Sequence, residues 1–272
     1  MDKIIFGTWL IGENEDSHNK EIDAIQYAID KGITHIDTAE IYGDGKSETL
    51  IGEAIKEYKR EKLYLISKVH PSNCNRKDMY NSVENSLKRL RTDYLDLYLL
   101  HWINPDTDYD EVIFLMEDLK KKGMIKDWGV SNFDTDDLKD LMRVEGGENC
   151  KVNQVLYNLA SRGVEYSLLP YMRELNMPLM AYCSMAHGLT LDKSINENKV
   201  LESIADKYGI TKSQILLSFL LNQDVHPIAK STTKKHIDQI VESRSIVLEK
   251  EHLDLLDREY PSPITKEPLH IV

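Results

Sequence analysis

An α/β fold, a closed barrel of eight parallel strands each followed by a helix, is the class this sequence predicts. Three observations predict it. Short strand-like apolar runs alternate with longer runs of helical period eight times along the chain. At 272 residues the chain has the length of such a (β/α)8, or TIM, barrel in one domain, 1–272. No linker or low-complexity segment breaks the alternation, and no G-x-G-x-x-G follows the first strand, which weighs against an open doubly wound sheet. Alternating βα units imply parallel pairing with right-handed crossovers.

Each unit has its own signature. "KIIF" (3–6) precedes a helix near 19–31 with Ile22, Ile25 and Ile29 on one face. "ITHI" (33–36) precedes a helix near 47–58, faced by Leu50, Ile51, Ala54, Ile55 and Tyr58. "LYLI" (63–66) precedes 76–90, faced by Met79, Val83, Leu87 and Leu90. "YLDLYLL" (94–100) precedes 108–122, faced by Val112, Leu115, Met116 and Leu119. "IKDWGV" (125–130) precedes 135–144, and "VNQVLY" (152–157) precedes 164–175. "PLMAY" (178–182) precedes 197–208 and an extra helix, 212–222. "HPIA" (226–229) precedes 234–242, and a last C-terminal helix near 249–259 leads into a short Pro-rich tail.

Composition narrows the function classes. A net charge of −12 argues against electrostatic nucleic-acid binding, which needs a basic face. The three cysteines, Cys74, Cys150 and Cys183, show no C-x-x-C pair and no zinc spacing, so reduced thiols and no metal are expected. The longest apolar stretch, "ILLSFLL" (215–221), is too short to span a bilayer, and "MDKIIFGTWLIGENED" turns acidic too soon for a secretory leader. A cytoplasmic protein is expected, with no membrane partner. No apolar surface stripe fixes an oligomeric state.

Reactive groups in such barrels sit at the C-terminal ends of the strands. Asp37 follows strand 2, Lys68 follows "LYLIS" of strand 3, and His101 follows strand 4. Three ionisable side chains on consecutive tips should lie roughly 5–10 Å apart. Tyr42, in the loop after strand 2, has the reach to fold back over them. Singly, each has an ordinary explanation: a turn acid, a solvated lysine, a hydrogen-bonding histidine, a packed tyrosine. Together they form a proton-delivery set. A nearby ammonium is expected to lower the phenol from its usual value near 10, the acid to hold the lysine charged, and the histidine to orient a carbonyl oxygen. Trp9 and Trp102 follow strands 1 and 4 at the same face and offer an aromatic wall to a substrate, whereas Trp128 lies inside strand 5 and is expected in the core. After strand 8, Lys230, Ser231, Thr232 and Thr233 lead into a helix, the place where a phosphate site is expected.

These motifs carry a resemblance. "GTW" (7–9), "HIDTAEIYG" (35–43), "SK" (67–68), "DLYLLHW" (96–102), "GVSNF" (129–133), "NQVLYN" (153–158), "AYCSM" (181–185) and "KSTTKKH" (230–236) together resemble the aldo-keto reductase superfamily over nearly the whole chain. The resemblance implies an NADP(H)-dependent reductase of aldehydes or ketones, with Asp37, Tyr42, Lys68 and His101 as a catalytic tetrad and Tyr42 as general acid. It implies NADPH as cofactor, bound by Gly7, Thr8, Asp37, Ser131, Asn132, Gln154, Tyr182, Cys183, Met185, Lys230, Ser231, Thr232, His236 and Gln239. Among these, Ser131, Asn132 and Gln154 match carboxamide contacts, Tyr182 the ring stacked on the nicotinamide, and Lys230 and Ser231 the grip on the 2′-phosphate. Trp9, Tyr42, His101 and Trp102 match substrate contacts.

The departures are informative. His236 stands where the family's NADP-binding members usually carry Arg, and Gln239 and Ile240 where they carry an acid and an Asn. A neutral histidine offers fewer fixed donors, so use of NADH as well is allowed. Cys183 replaces a usual Ser, and "YNL" a usual "YNP". The first strand begins almost at Met1, so a hairpin across the barrel floor is expected to be reduced or missing; the short tail predicts an open substrate pocket. Two other functions fit the same barrel: a non-catalytic NADP(H)-binding sensor, and an isomerase or lyase of phosphorylated sugars that needs no nicotinamide.

Overall fold

A strand places alternate side chains on opposite faces, and here that period of two sorts the chain into an inside and an outside. The computed structural model describes residues 3–186 and 193–271; Met1, Asp2, 187–192 and Val272, all within the expected domain, lie outside the described residues. The strands are β1 (Ile5–Gly7), β2 (His35–Asp37), β3 (Tyr64–Val69), β4 (Leu95–Leu100), β5 (Ile125–Ser131), β6 (Asn153–Leu156), β7 (Leu179–Tyr182) and β8 (His226–Ala229). They close in chain order into a barrel, and β8 returns to β1 with Ile5 opposite Ile228. Every neighbouring pair is parallel.

Ile5, Ile66, Leu97, Leu99, Val152, Met180 and Ile228 point inward and fill the barrel as one cluster. Their neighbours Phe6, Leu65, Tyr98, Leu100 and Ala181 point outward into a second, larger core. There they meet helix faces such as Ile25, Leu50, Val83 and Leu115. Trp128 is fully buried among them, its indole N–H donating to Glu117 at 2.7 Å. Near the N-terminal ends of β2 and β3, the rings of His35 and Tyr64 stack at 4.4 Å.

The outer ring, among the described residues, is α1 (His18–Asp30), α2 (Lys46–Ala54), α3 (Met79–Leu90), α4 (Tyr109–Lys121), α5 (Thr135–Arg143), α6 (Leu168–Glu174), α7 (Lys193–Glu197), α8 (Lys199–Tyr208), α9 (Lys212–Asn222), α10 (Lys234–Glu242) and α11 (Lys250–Glu259). None is long and apolar enough to cross a membrane. The extra helix expected at 212–222 is α9, started by a Thr211/Gln214 capping box.

Four helices differ from expectation, each for a local reason. The helix expected to reach 58 stops at Ala54; Tyr58 turns back instead, and its hydroxyl donates to Asp30 at 2.9 Å. The helix expected from 76 starts at Met79, because the Asn75 side chain accepts from the backbone N–H of Lys77 and Asp78. The helix expected from 164 starts at Leu168. Pro170 has no N–H for the bond that an earlier start requires, and Gly163–Glu165 form a 3-10 turn. The stretch expected as 197–208 is two helices, split at Asn198, whose extended backbone and side chain cap the N-terminus of α8.

One glycine fixes how the helices flank β2 and β3. A Cβ at Gly52 lies 2.3 Å from the carbonyl oxygen of Arg89, so α2 and α3 touch backbone to backbone there. Gly52→Ala is therefore expected to lower unfolding stability by about 1–3 kcal/mol, as overpacking does. Urea denaturation checks this, and an unchanged midpoint contradicts the contact.

Candidate active site

The alternation that fills the barrel also aims side chains into its mouth. Asp37 ends β2, two residues after His35. Lys68 lies within β3, one residue before its end rather than beyond it, and shares the inward parity of Ile66. His101 follows β4 directly, on the parity of Leu97 and Leu99. The same parity brings Gly7, Ser131 and Tyr182 to the C-terminal ends of their strands and Lys230 to the position just after β8, while Gln154 sits near the start of the short β6.

Lys68 is fully buried. Its ammonium donates to Asp37 Oδ2 at 2.8 Å, to the carbonyl of Thr38 at 2.7 Å and to the Tyr42 hydroxyl at 3.1 Å. Three donors thus meet three acceptors, which is what a buried ammonium requires. The second oxygen of Asp37 accepts from Gln154 Nε2 at 2.8 Å, across the barrel from β6. Burial acts to lower the Lys68 pKa, but Asp37 and Tyr42 outweigh it and leave the lysine above its ordinary value.

Tyr42 folds back as expected, yet its acidity differs from the sequence expectation. Burial is the largest influence and raises its pKa above the ordinary value; Lys68 pulls the other way without prevailing. The phenol therefore stays protonated through the neutral range. Its oxygen accepts from Lys68, so its own O–H hydrogen remains available to an acceptor in the cavity. The His101 ring lies edge-on to Tyr42, with centroids 5.8 Å apart at 72°. Burial, then the charges of Lys68 and His70, push its pKa down to about 2, so the imidazole is neutral. Its Nδ1 is buried with no hydrogen-bond partner, and its backbone carbonyl accepts from Asn132 Nδ2 at 3.0 Å.

These groups lie at the base of a cavity of about 650 Å³. Its wall contains Gly7, Thr8, Trp9, Asp37, Tyr42, His101, Trp102, Ser131, Asn132, Gln154, Tyr182, Cys183, Met185 and Lys230. Tyr182 donates to Asn132 Oδ1 at 2.7 Å, and Ser131 Oγ donates to the Gln154 carbonyl at 2.8 Å. Burial raises the Cys183 thiol to about 12, so it stays a thiol. Half-buried Lys230 donates to the Trp9 carbonyl at 2.8 Å, and burial lowers its pKa. The structure does not bring Ser231, Thr232, His236 and Gln239 into this wall; they lie on the turn after β8 and on α10, where His236 is exposed.

Sequence reasoning missed several lining residues: Leu10, Glu13, Ile41, Gly43, Ser184, Ile228 and Ile271. Ile41 and Gly43 flank Tyr42 and were readable from that position. Ile271 was not. It belongs to the short tail expected to leave the pocket open, yet the tail reaches the mouth, with His270 Nδ1 2.6 Å from Ser161 Oγ beside it.

Known proteins resemble this chain over nearly its whole length. The family model described as "Aldo/keto reductase family" matches residues 3–260. The methylglyoxal reductase YeaE of Escherichia coli (strain K12) is 42% identical over 267 residues, covering 98% of this chain and 93% of that protein. The glyoxal reductase of Bacillus subtilis (strain 168) is 33% identical, covering 89% of this chain and 84% of that one. Among solved structures, an aldo/keto reductase from Klebsiella pneumoniae in complex with NADP and acetate superposes with a TM-score of 0.98 at 42% identity. That match covers 100% of this chain and 96% of the other. A barrel of this topology, a buried Lys–Asp–Tyr cluster at its mouth and likeness of this extent lead to one assignment: the chain belongs to the aldo/keto reductase family.

Proposed function

We propose that this reductase uses NADPH to reduce small neutral carbonyl compounds, 2-oxoaldehydes such as methylglyoxal foremost, with Tyr42 as the proton donor. The observation that carries the reading is the Tyr42 hydroxyl held 3.1 Å from a fully buried lysine, in the wall of one cavity with a neutral His101. The substrate class rests on the relatives that reduce methylglyoxal and glyoxal, and on the apolar rim of Trp9, Leu10, Ile41 and Trp102.

The residues present fit a nicotinamide dinucleotide. Gln154 Oε1 makes no hydrogen bond among the described residues, and Ser131 and Asn132 stand beside it in the wall, a donor–acceptor set suited to a carboxamide. At the other end Lys230 and the N-terminus of α10, which has no side-chain cap, suit a phosphate. Ser231, Thr232, His236 and Gln239 are the proposed outer contacts there. When bound, the nicotinamide supplies the hydride.

The chain does the rest. Lys68 accompanies Tyr42 as a fixed positive charge, so the phenolate left after proton release is stabilised where it forms. Asp37 keeps that charge in place, and Gln154 keeps Asp37 in place. His101, being neutral, has one N–H to give and serves to orient the carbonyl oxygen without competing for the proton. Trp9 and Trp102 cover the apolar side of the substrate.

Two outcomes are expected. Tyr42→Phe should lower kcat for methylglyoxal by about 100- to 10,000-fold, the usual range for a lost general acid. NADPH binding, read from quenching of tryptophan fluorescence, should be unchanged. A variant as fast as wild type removes Tyr42 from the mechanism, and cofactor binding without turnover by the wild type over 2-oxoaldehydes, aldoses and ketones favours a sensor. The second outcome concerns pH. Reduction needs the protonated phenol, whose pKa is raised; activity is therefore present below that pKa and lost as pH rises through it. With His101 near 2, no acid-side loss intervenes. The kcat profile should be flat between about pH 6 and pH 9, and an inflection of one proton near pH 6.5, the ordinary histidine value, would show that His101 titrates instead.

A further inference from the structure

Trp102, in the cavity wall, makes no hydrogen bond through its indole N–H among the described residues, so ring contacts hold it. One is with His101, centroids 4.8 Å apart and tilted by 55°. The other is with His70, 4.8 Å away and nearly perpendicular at 86°. His70 lies outside the cavity wall, behind the indole.

His70 is itself held from several sides. Its Nδ1 is 2.6 Å from Ser72 Oγ and accepts from the Ser72 backbone N–H at 3.2 Å. Its own backbone N–H donates to Glu40 Oε1 at 2.6 Å. Glu40 also accepts from Asn73 Nδ2 at 3.0 Å and from the Ser82 hydroxyl of α3. The backbone N–H of Glu40 donates to the carbonyl of Lys68 at 3.3 Å. Glu40 thus ties the loop after β2 to the loop after β3, and that second loop carries the ring that backs Trp102.

We propose that Glu40 and His70 are positioning residues for substrate selection, setting the pose of the Trp102 wall from behind. The proposal rests on the reading that carbonyl substrates pack against this wall. Glu40 lies within "HIDTAEIYG", between the acid that holds Lys68 and the phenol that donates the proton. One motif therefore supports the proton donor and, through Glu40, the surface that presents the substrate. A small aldehyde depends on this pose most, because it has few contacts with which to correct its own position.

Steady-state kinetics with NADPH and two probes, methylglyoxal and benzaldehyde, test this. His70→Ala should raise KM for methylglyoxal about five- to tenfold, in the range of one apolar contact in a pocket, with kcat changed less than about twofold. KM for benzaldehyde should move less, so the ratio of kcat/KM values shifts toward the larger aldehyde. His70→Phe, which keeps a ring behind the indole, should restore the wild-type ratio, and Glu40→Gln should fall between. NADPH affinity should be the same in all. An unchanged ratio in a folded His70→Ala, or a His70→Phe that behaves like it, overturns the proposal. If His70→Ala does not fold, His70→Phe and Glu40→Gln still decide: a shift with Phe as large as with Gln overturns it. Wild-type turnover of methylglyoxal is the control, and its absence defeats the reductase reading instead.

Discussion

A lysine ammonium with no access to water is the constraint around which this barrel mouth is arranged. Leaving such a charge unpaired costs several kcal/mol. Lys68 avoids that cost with three acceptors, all from the end of β2 and the loop that follows it. The acceptor geometry fixes where Tyr42 sits, because the phenol is the third partner. It also fixes Asp37, whose other oxygen is braced by Gln154 from β6. Three strands are thereby locked in one relative position at the point where chemistry is proposed.

Much of this was legible in the sequence, for a physical reason. A closed barrel with a two-residue side-chain period sends a residue at each strand end to one shared mouth, so strand counting alone gathered Asp37, Lys68 and His101. Element boundaries were less legible because they are decided by single side chains with no periodic signal: Asn75, Pro170, Asn198 and the returning Tyr58. The acidity of Tyr42 went the other way from expectation. A neighbouring lysine can be read from sequence, but the depth of burial that outweighs it is a property of the whole assembly.

Residues that act through tertiary contact were the least legible. His70 meets Trp102 across 32 positions, and nothing near either residue in the chain announces the pair. Ile271 enters the cavity from the tail, far from every strand tip. Of the proposed outer cofactor contacts, His236 and Gln239 rest on resemblance alone, while Ser231 and Thr232 also follow from their place between β8 and a helix; all four stand apart from the inner wall, on the turn after β8 and on α10. The site is therefore layered. Its inner layer follows from the fold, while its outer layers follow from loops whose paths depend on distant partners such as Glu40.

The saturation of Lys68 has a consequence for turnover. A side chain with every N–H engaged and no exposed surface has no private route to bulk protons. If Tyr42 gives up its proton in each cycle, the replacement arrives from the cavity side. The cavity that admits substrate is therefore also the way in for acid equivalents, and a spent Tyr42 would be recharged through it. Whatever lingers in the mouth, product included, delays the next proton as well as the next substrate.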